Sequence, residues 1–168
     1  MLEGRNIRLR VAEKEDVPML AQRFNDEEFQ GKYQDFPTQV SRAQLEKQMF
    51  EPQLPQMQWT DFIIEKKDGT EIGWTAHYVS SQNFGWTEIG CSVISSERWK
   101  GYATEAIQII VDYLFLTKES IVRIQAITST KNKAFQRVLE KVGFRKEGTL
   151  RKALFVRGKW TDGCIYSI

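Results

Sequence analysis

From Ile89 to Leu114 the chain passes from a short apolar strand into an amphipathic helix through one basic, glycine-bearing turn. Ile89 to Ile94 reads as a buried strand, and Ala103, Ala106, Ile107, Ile110, Val111 and Leu114 recur on one helical face. Val122, Ile124 and Ala126 mark the strand that follows. Strand 87–94, helix 101–117 and strand 122–128 joined in this way form a crossover between parallel strands. A parallel pair needs helices over its faces, which places the chain among the α/β layer proteins.

The remaining segments extend that sheet. Ile7, Leu9 and Val11 alternate with Arg8 and Arg10, the pattern of a half-buried strand. Asp16 is placed to cap a helix carrying Val17, Leu20, Ala21 and Phe24, and residues 30–40 show no period and read as loop. Ser41 with Gln44 makes a capping box for a second helix bearing Leu45 and Met49, which Pro52 and Pro55 end. Phe62-Ile63-Ile64 and Ile72-Gly73-Trp74 flank Asp68-Gly69, a hairpin whose second arm reaches Val79, and Ser80 to Gly85 is a turn. A helix over 131–142 ends at Gly143 and Phe144, and the tail from Thr149 is a hairpin about Arg157-Gly158. The expected order is β-α-α-β-β-β-α-β-α-β-β, in one domain over residues 1–168.

Composition narrows the partners. A chain of 168 residues with 41% hydrophobic and 27% charged residues has enough apolar material for one sizeable core. Its net charge of +2 is too small to argue for nucleic acid. No apolar run has the length of a membrane span, and the N-terminus lacks the apolar core of a signal peptide. Cys91 and Cys164 show neither metal spacing nor a disulfide framework, which points to the reducing cytoplasm. The single histidine, His77, reads as structural and leaves no basis for a histidine metal site or a serine–histidine triad.

The turn itself carries chemistry. A helix N-terminus presents unpaired N–H groups and partial positive charge. Gly101 lets the backbone approach a ligand, and Arg98 and Lys100 add full charges. The expected occupant is anionic, a nucleotide-bearing cofactor. The turn lacks the spacing of a Walker loop and the three glycines of a dinucleotide fingerprint.

Arg98-x-x-Gly101-x-Ala103 resembles the Gln/Arg-x-x-Gly-x-Gly/Ala motif of the GNAT superfamily of acetyl-CoA-dependent N-acetyltransferases. Asn132 and the run Arg137-Val138-Leu139-Glu140-Lys141-Val142-Gly143-Phe144 are similar to that family's second signature. Glu147-Gly148, Phe155 to Trp160 and Asp162 resemble the ending of its ribosomal-protein N-terminal acetyltransferase (RimJ/RimL-like) branch. The resemblance spans the whole chain. It implies the acyl-CoA N-acyltransferase fold: a mixed, mostly antiparallel sheet flanked by helices, with a splayed parallel strand pair at the cofactor notch.

It also implies roles for particular residues. Arg98, Trp99, Lys100, Gly101, Tyr102, Ala103 and Thr104 would hold the CoA diphosphate, with Asn132, Phe135 and Arg137 along the cofactor. Val93 and Ile94 would contact the cofactor, and a main-chain N–H between Ser92 and Ile94, where the family carries a bulge, would stabilise the oxyanion. Glu88 is the candidate base, because an amine with a pKa near ~10.4 must lose a proton before attack. Trp59, Trp74, Trp86, Tyr33 and Phe36 are candidate cleft residues, and Asp26, Glu27, Glu28 and Asp35 fall on the acceptor side.

Two positions depart from the family. Phe135 stands where the ribosomal-protein branch has serine, and Leu139 where polyamine members have tyrosine, so both expected thiolate proton donors are absent. Water, Tyr166 or Tyr102 remains for that role. The expected activity is transfer of acetyl from acetyl-CoA to a small amine or a protein N-terminus, without metal, nucleic acid or membrane, in a chain able to form a homodimer. A CoA-holding protein without turnover is the alternative.

Overall fold

The computed structural model describes residues 1–33, 39–51, 58–79 and 85–168. The capping prolines Pro52 and Pro55, the turn at 80–84, and Asp35 and Phe36 lie outside the described residues. Among the described residues, eight strands form one sheet in the order β1-β2-β3-β4-β5-β6-β8-β7. They are β1 (Leu2–Glu3), β2 (Ile7–Val11), β3 (Gln58–Lys66), β4 (Glu71–Val79), β5 (Trp86–Val93), β6 (Arg123–Ser129), β7 (Arg145–Val156) and β8 (Lys159–Ser167). The helices are α1 (Val17–Phe24), α2 (Glu27–Gln30), α3 (Arg42–Phe50), α4 (Tyr102–Thr117) and α5 (Lys133–Val142).

Every pairing is antiparallel except β5–β6. β1 and α2 escape the sequence pattern because two and four residues are too few to display a period. Asp16 does not cap α1. Its carboxylate instead accepts from Arg10 Nη1 and Nη2 at 2.8 and 2.9 Å and from Glu13 N at 2.7 Å.

The two sheet faces have different cores. Ala106, Ile107, Ile110, Val111 and Leu114 of α4 pack on Ile7, Leu9, Phe62, Ile64, Ile89 and Ile124. Full burial of each isoleucine, leucine, valine or phenylalanine among them is worth about 1.5–3 kcal/mol, so this face anchors the fold. On the other face α1 and α3 close over Ile63, with Trp74 beside them.

The Ser41–Gln44 box forms as expected: Ser41 Oγ accepts from Gln44 N at 3.2 Å, and Gln44 Oε1 from Ser41 N at 3.0 Å. Ser41→Ala is expected to lower unfolding free energy by about 1 kcal/mol; a urea titration with an unmoved midpoint would count against the box.

Candidate active site

The parallel pair is short. Trp86, Thr87 and Glu88 pair with Arg123, Ile124 and Gln125, and there the pairing stops. Beyond it β5 stays with β4 as far as Val93, while β6 stays with β8 as far as Ser129. The two strands therefore part and leave a notch between facing backbone edges.

Ile94 N donates to Ile72 O at 2.9 Å. Successive amides of an antiparallel ladder point to opposite edges. The Ser92 amide therefore also faces β4, and those of Cys91 and Val93 face the notch. The β4–β5 register runs from Gly73↔Val93 to Tyr78↔Glu88 without a shift, so the family's bulge is not present there. Of the two residues expected to contact the cofactor on this strand, Val93 turns its amide to the notch, and the amide of Ile94 is engaged by Ile72.

A cavity of about 1020 Å³ opens from this notch. Arg98, Trp99, Gly101, Tyr102, Ala103 and Thr104 line one side of it, and Asn132, Phe135 and Arg137 another. Gly101 has φ +91°, a left-handed conformation at the N-cap of α4 that suits glycine. Nothing lies within 4 Å of a Cβ built there, so the space before the helix N-terminus is open. Lys100 points away into an ion pair with Glu97 at 3.0 Å and does not line the cavity.

Arg98 has a role the sequence did not reveal. Its Nε donates to Val93 O at 2.9 Å, and its Nη2 donates to Glu28 O at 2.8 Å and Phe29 O at 3.2 Å. The guanidinium thus braces the notch strand and α2 against the turn, besides lending charge. Residues 26–33 form the facing wall, and Glu27 pairs there with Arg157 at the tip of the β7–β8 hairpin.

Asn132 caps α5, its Oδ1 accepting from Phe135 N at 3.3 Å while its Nδ2 donates to Thr128 Oγ1 at 3.2 Å. Thr128 also lines the cavity.

Glu88 sits at the apex where the strands separate, one residue outside the cavity lining. Its carboxylate accepts from Gln125 Nε2 at 3.2 Å and from the Tyr78 phenol. Burial, then the neighbouring Glu88 charge, pushes the Tyr78 hydroxyl upward, so Tyr78 remains a donor. Ile89 packs on α4, so Glu88 projects from the opposite face, shared with Gly90 and Ser92.

Tyr166 is buried, donates to Glu140 Oε1 at 3.0 Å, and does not line the cavity; burial and Glu140 push it up to about 12. Tyr102 is the one of the two candidate tyrosines that faces the site. Leu139 is wholly enclosed in the core. Burial pushes the Cys91 thiol up to about 12, which makes it a poor nucleophile. No group of three or more His, Cys, Asp or Glu side chains among the described residues is arranged to hold a metal ion.

The family model for the acetyltransferase (GNAT) domain matches residues 6–145. The chain belongs to the GNAT acetyltransferases. This GNAT chain is 32% identical over 163 residues to the uncharacterized N-acetyltransferase p20 of Bacillus licheniformis, covering 95% of this chain and 90% of that protein. It is 38% identical over 107 residues to the uncharacterized N-acetyltransferase YoaA of Bacillus subtilis, a match to 62% of this chain and only 59% of the relative.

Among solved structures, Mycobacterium smegmatis RimJ in complex with CoA-disulfide superposes with a TM-score of 0.80 at 26% identity, covering 96% of this chain and 81% of that one. Spermidine N-acetyltransferase from Vibrio cholerae, in complex with CoA and spermine, superposes with a TM-score of 0.83 at 20% identity, covering 97% and 95%. The second likeness is one of fold.

Proposed function

We propose that this acetyltransferase moves the acetyl group of acetyl-CoA directly to a primary amine, either a small molecule or a protein N-terminus. The observation that carries the reading is the splayed β5–β6 pair opening onto the Gly101 turn of α4. The turn's amides suit a diphosphate, and the unpaired strand edges suit the amides of a pantetheine arm. The same reading assigns the chain to the RimJ/RimL-like branch and to the cytoplasm, and β7, at the edge of the sheet, would permit a homodimer.

In this reading Glu88 takes the amine proton through a water, since its carboxylate stands beside the lining rather than in it. The amine nitrogen bonds to the thioester carbon, the Val93 or Cys91 amide holds the oxyanion, and the carbon–sulfur bond breaks to release CoA thiolate. A thiol with pKa near ~8.5 leaves without obligatory protonation. Tyr102 and Thr128 line the cavity, and in this reading their hydroxyls hydrogen-bond the sulfur in place of the missing serine and tyrosine. The raised Cys91 thiol favours direct transfer over an acetyl-cysteine intermediate.

Calorimetry with acetyl-CoA and CoA release with a panel of amines test the proposal. Tight binding with no amine acetylated would instead establish a CoA-holding protein. Gly101→Ala adds a Cβ without a clash but strains the left-handed turn by about 1–2 kcal/mol. It is expected to raise KM for acetyl-CoA about tenfold with little change in kcat; an unchanged KM would remove the turn from the binding site.

A further inference from the structure

Asp61 lies on β3, only 7% exposed. Phe62 and Ile64 belong to the α4 core, so Asp61 projects from the opposite, acceptor face with Ile63. Its Oδ1 accepts from Trp74 Nε1 at 2.7 Å, and the Trp59 indole also donates to this carboxylate. No cation pairs with it among the described residues. Desolvation pushes Asp61 above the ordinary carboxylate range, and the two indoles offset this only in part. Buried carboxylates normally have a cationic partner, because burial of an isolated charge is costly. This one has only neutral donors, the two indoles.

A row of small residues connects Asp61 to the reaction site. Asp61 pairs with Ala76, and Ala76 with Gly90, which lines the notch cavity. Two strand spacings put Gly90 about 10 Å from Asp61. A Cβ at Gly90 would meet only Trp74 Cζ3, at 4.0 Å. The Trp74 ring therefore stretches along the row, one edge tethered to Asp61 and the other beside the empty space over Gly90. Glycine inside a strand weakens it and often marks the close approach of a ligand.

We propose that the space over Gly90, walled by Trp74 and ending at Asp61, is the acceptor site, and that it takes an aliphatic amine carrying a second positive charge. This rests on the acetyltransferase reading above and names its substrate class. The reacting nitrogen must be neutral when it attacks, so a carboxylate and an indole face next to it would only oppose deprotonation. They favour a second ammonium that does not react. The reacting nitrogen then sits over Gly90, between Glu88 and Ser92, and the methylene chain runs along Trp74 toward Asp61.

The test is calorimetric titration of hexamethylenediamine and of hexylamine into the CoA-saturated protein, with initial rates measured on acetyl-CoA. The diamine is expected to bind at least about tenfold more tightly than the monoamine. Asp61→Asn is expected to abolish most of that ratio, and Gly90→Ala to weaken both amines, each with CoA affinity and melting temperature near wild type. Equal affinity for the two amines, binding of neither, an unchanged ratio in Asp61→Asn, or unchanged affinities in Gly90→Ala would each overturn the proposal. Hexylamine or a peptide N-terminus acetylated as fast as the diamine keeps the enzyme and sinks this site. Selective diamine binding with no amine acetylated keeps the site and sinks the enzyme.

Discussion

Glu88→Gln is expected to lower kcat by about 10²–10⁴ while leaving acetyl-CoA affinity unchanged. The substitution keeps the length of the side chain and one oxygen able to accept from Tyr78 or Gln125, so the apex of the notch stays assembled. In the proposed mechanism it removes the group that accepts the amine proton. The cofactor side of the cavity does not include Glu88, so binding of acetyl-CoA gives an internal control. The deficit should shrink as pH rises toward the amine's own pKa, because the substrate then arrives deprotonated. A loss in kcat of less than about threefold, or one that does not narrow at high pH, would transfer the base role to another group.

Acidification is expected to destabilise the protein through His77. This side chain is 4% exposed, enclosed near Phe62 and Tyr113 on the α4 face, and neither ring nitrogen has a hydrogen-bond partner among the described residues. Desolvation, reinforced by the Lys118 charge, lowers its pKa from 6.5 to about 4. Above pH 6.5 the histidine is neutral whether the chain is folded or unfolded, and the stability is fully present. Between 6.5 and about 4 the unfolded chain binds a proton that the folded chain refuses, so stability falls as pH falls. Below that window both states are protonated and this contribution is flat. The loss is about 2 kcal/mol between pH 7 and 5 and about 3 kcal/mol in full. Urea unfolding across this range should show the slope in wild type and lack this part of it in His77→Leu. Parallel curves for the two proteins would mean that the imidazole is solvated.

Much of the architecture was legible in the sequence because the signals were local. The alternation at Ile7–Val11, the helical spacing from Ala103 to Leu114, the Ser41–Gln44 box and the Gly143 stop each depend on neighbours in the chain, and each appears as an element or a cap. Asp16 misled because the same side chain that caps helices also pairs with arginine, and Arg10, six residues upstream in β2, reaches it across the strand-to-helix turn. The turn at Gly101 was readable since glycine before a helix states a backbone requirement. Gly90 carried a similar signal, a glycine interrupting an apolar strand, but its meaning depends on which side chains flank it across the sheet.

The residues of this chain determined by themselves where the longer strands and helices form, that a crossover joins β5 to β6, and that a helix N-terminus follows a glycine turn. Tertiary structure alone decided that β6 pairs with β8 and parts from β5 after Glu88, that Arg98 braces α2, and that, among the described residues, Asp61 has no charged partner and the enclosed His77 no hydrogen bond. The division follows from range. Periodicity and capping act over a few bonds, whereas strand order, edge exposure and desolvation are set by segments tens of residues apart that meet only when the sheet closes.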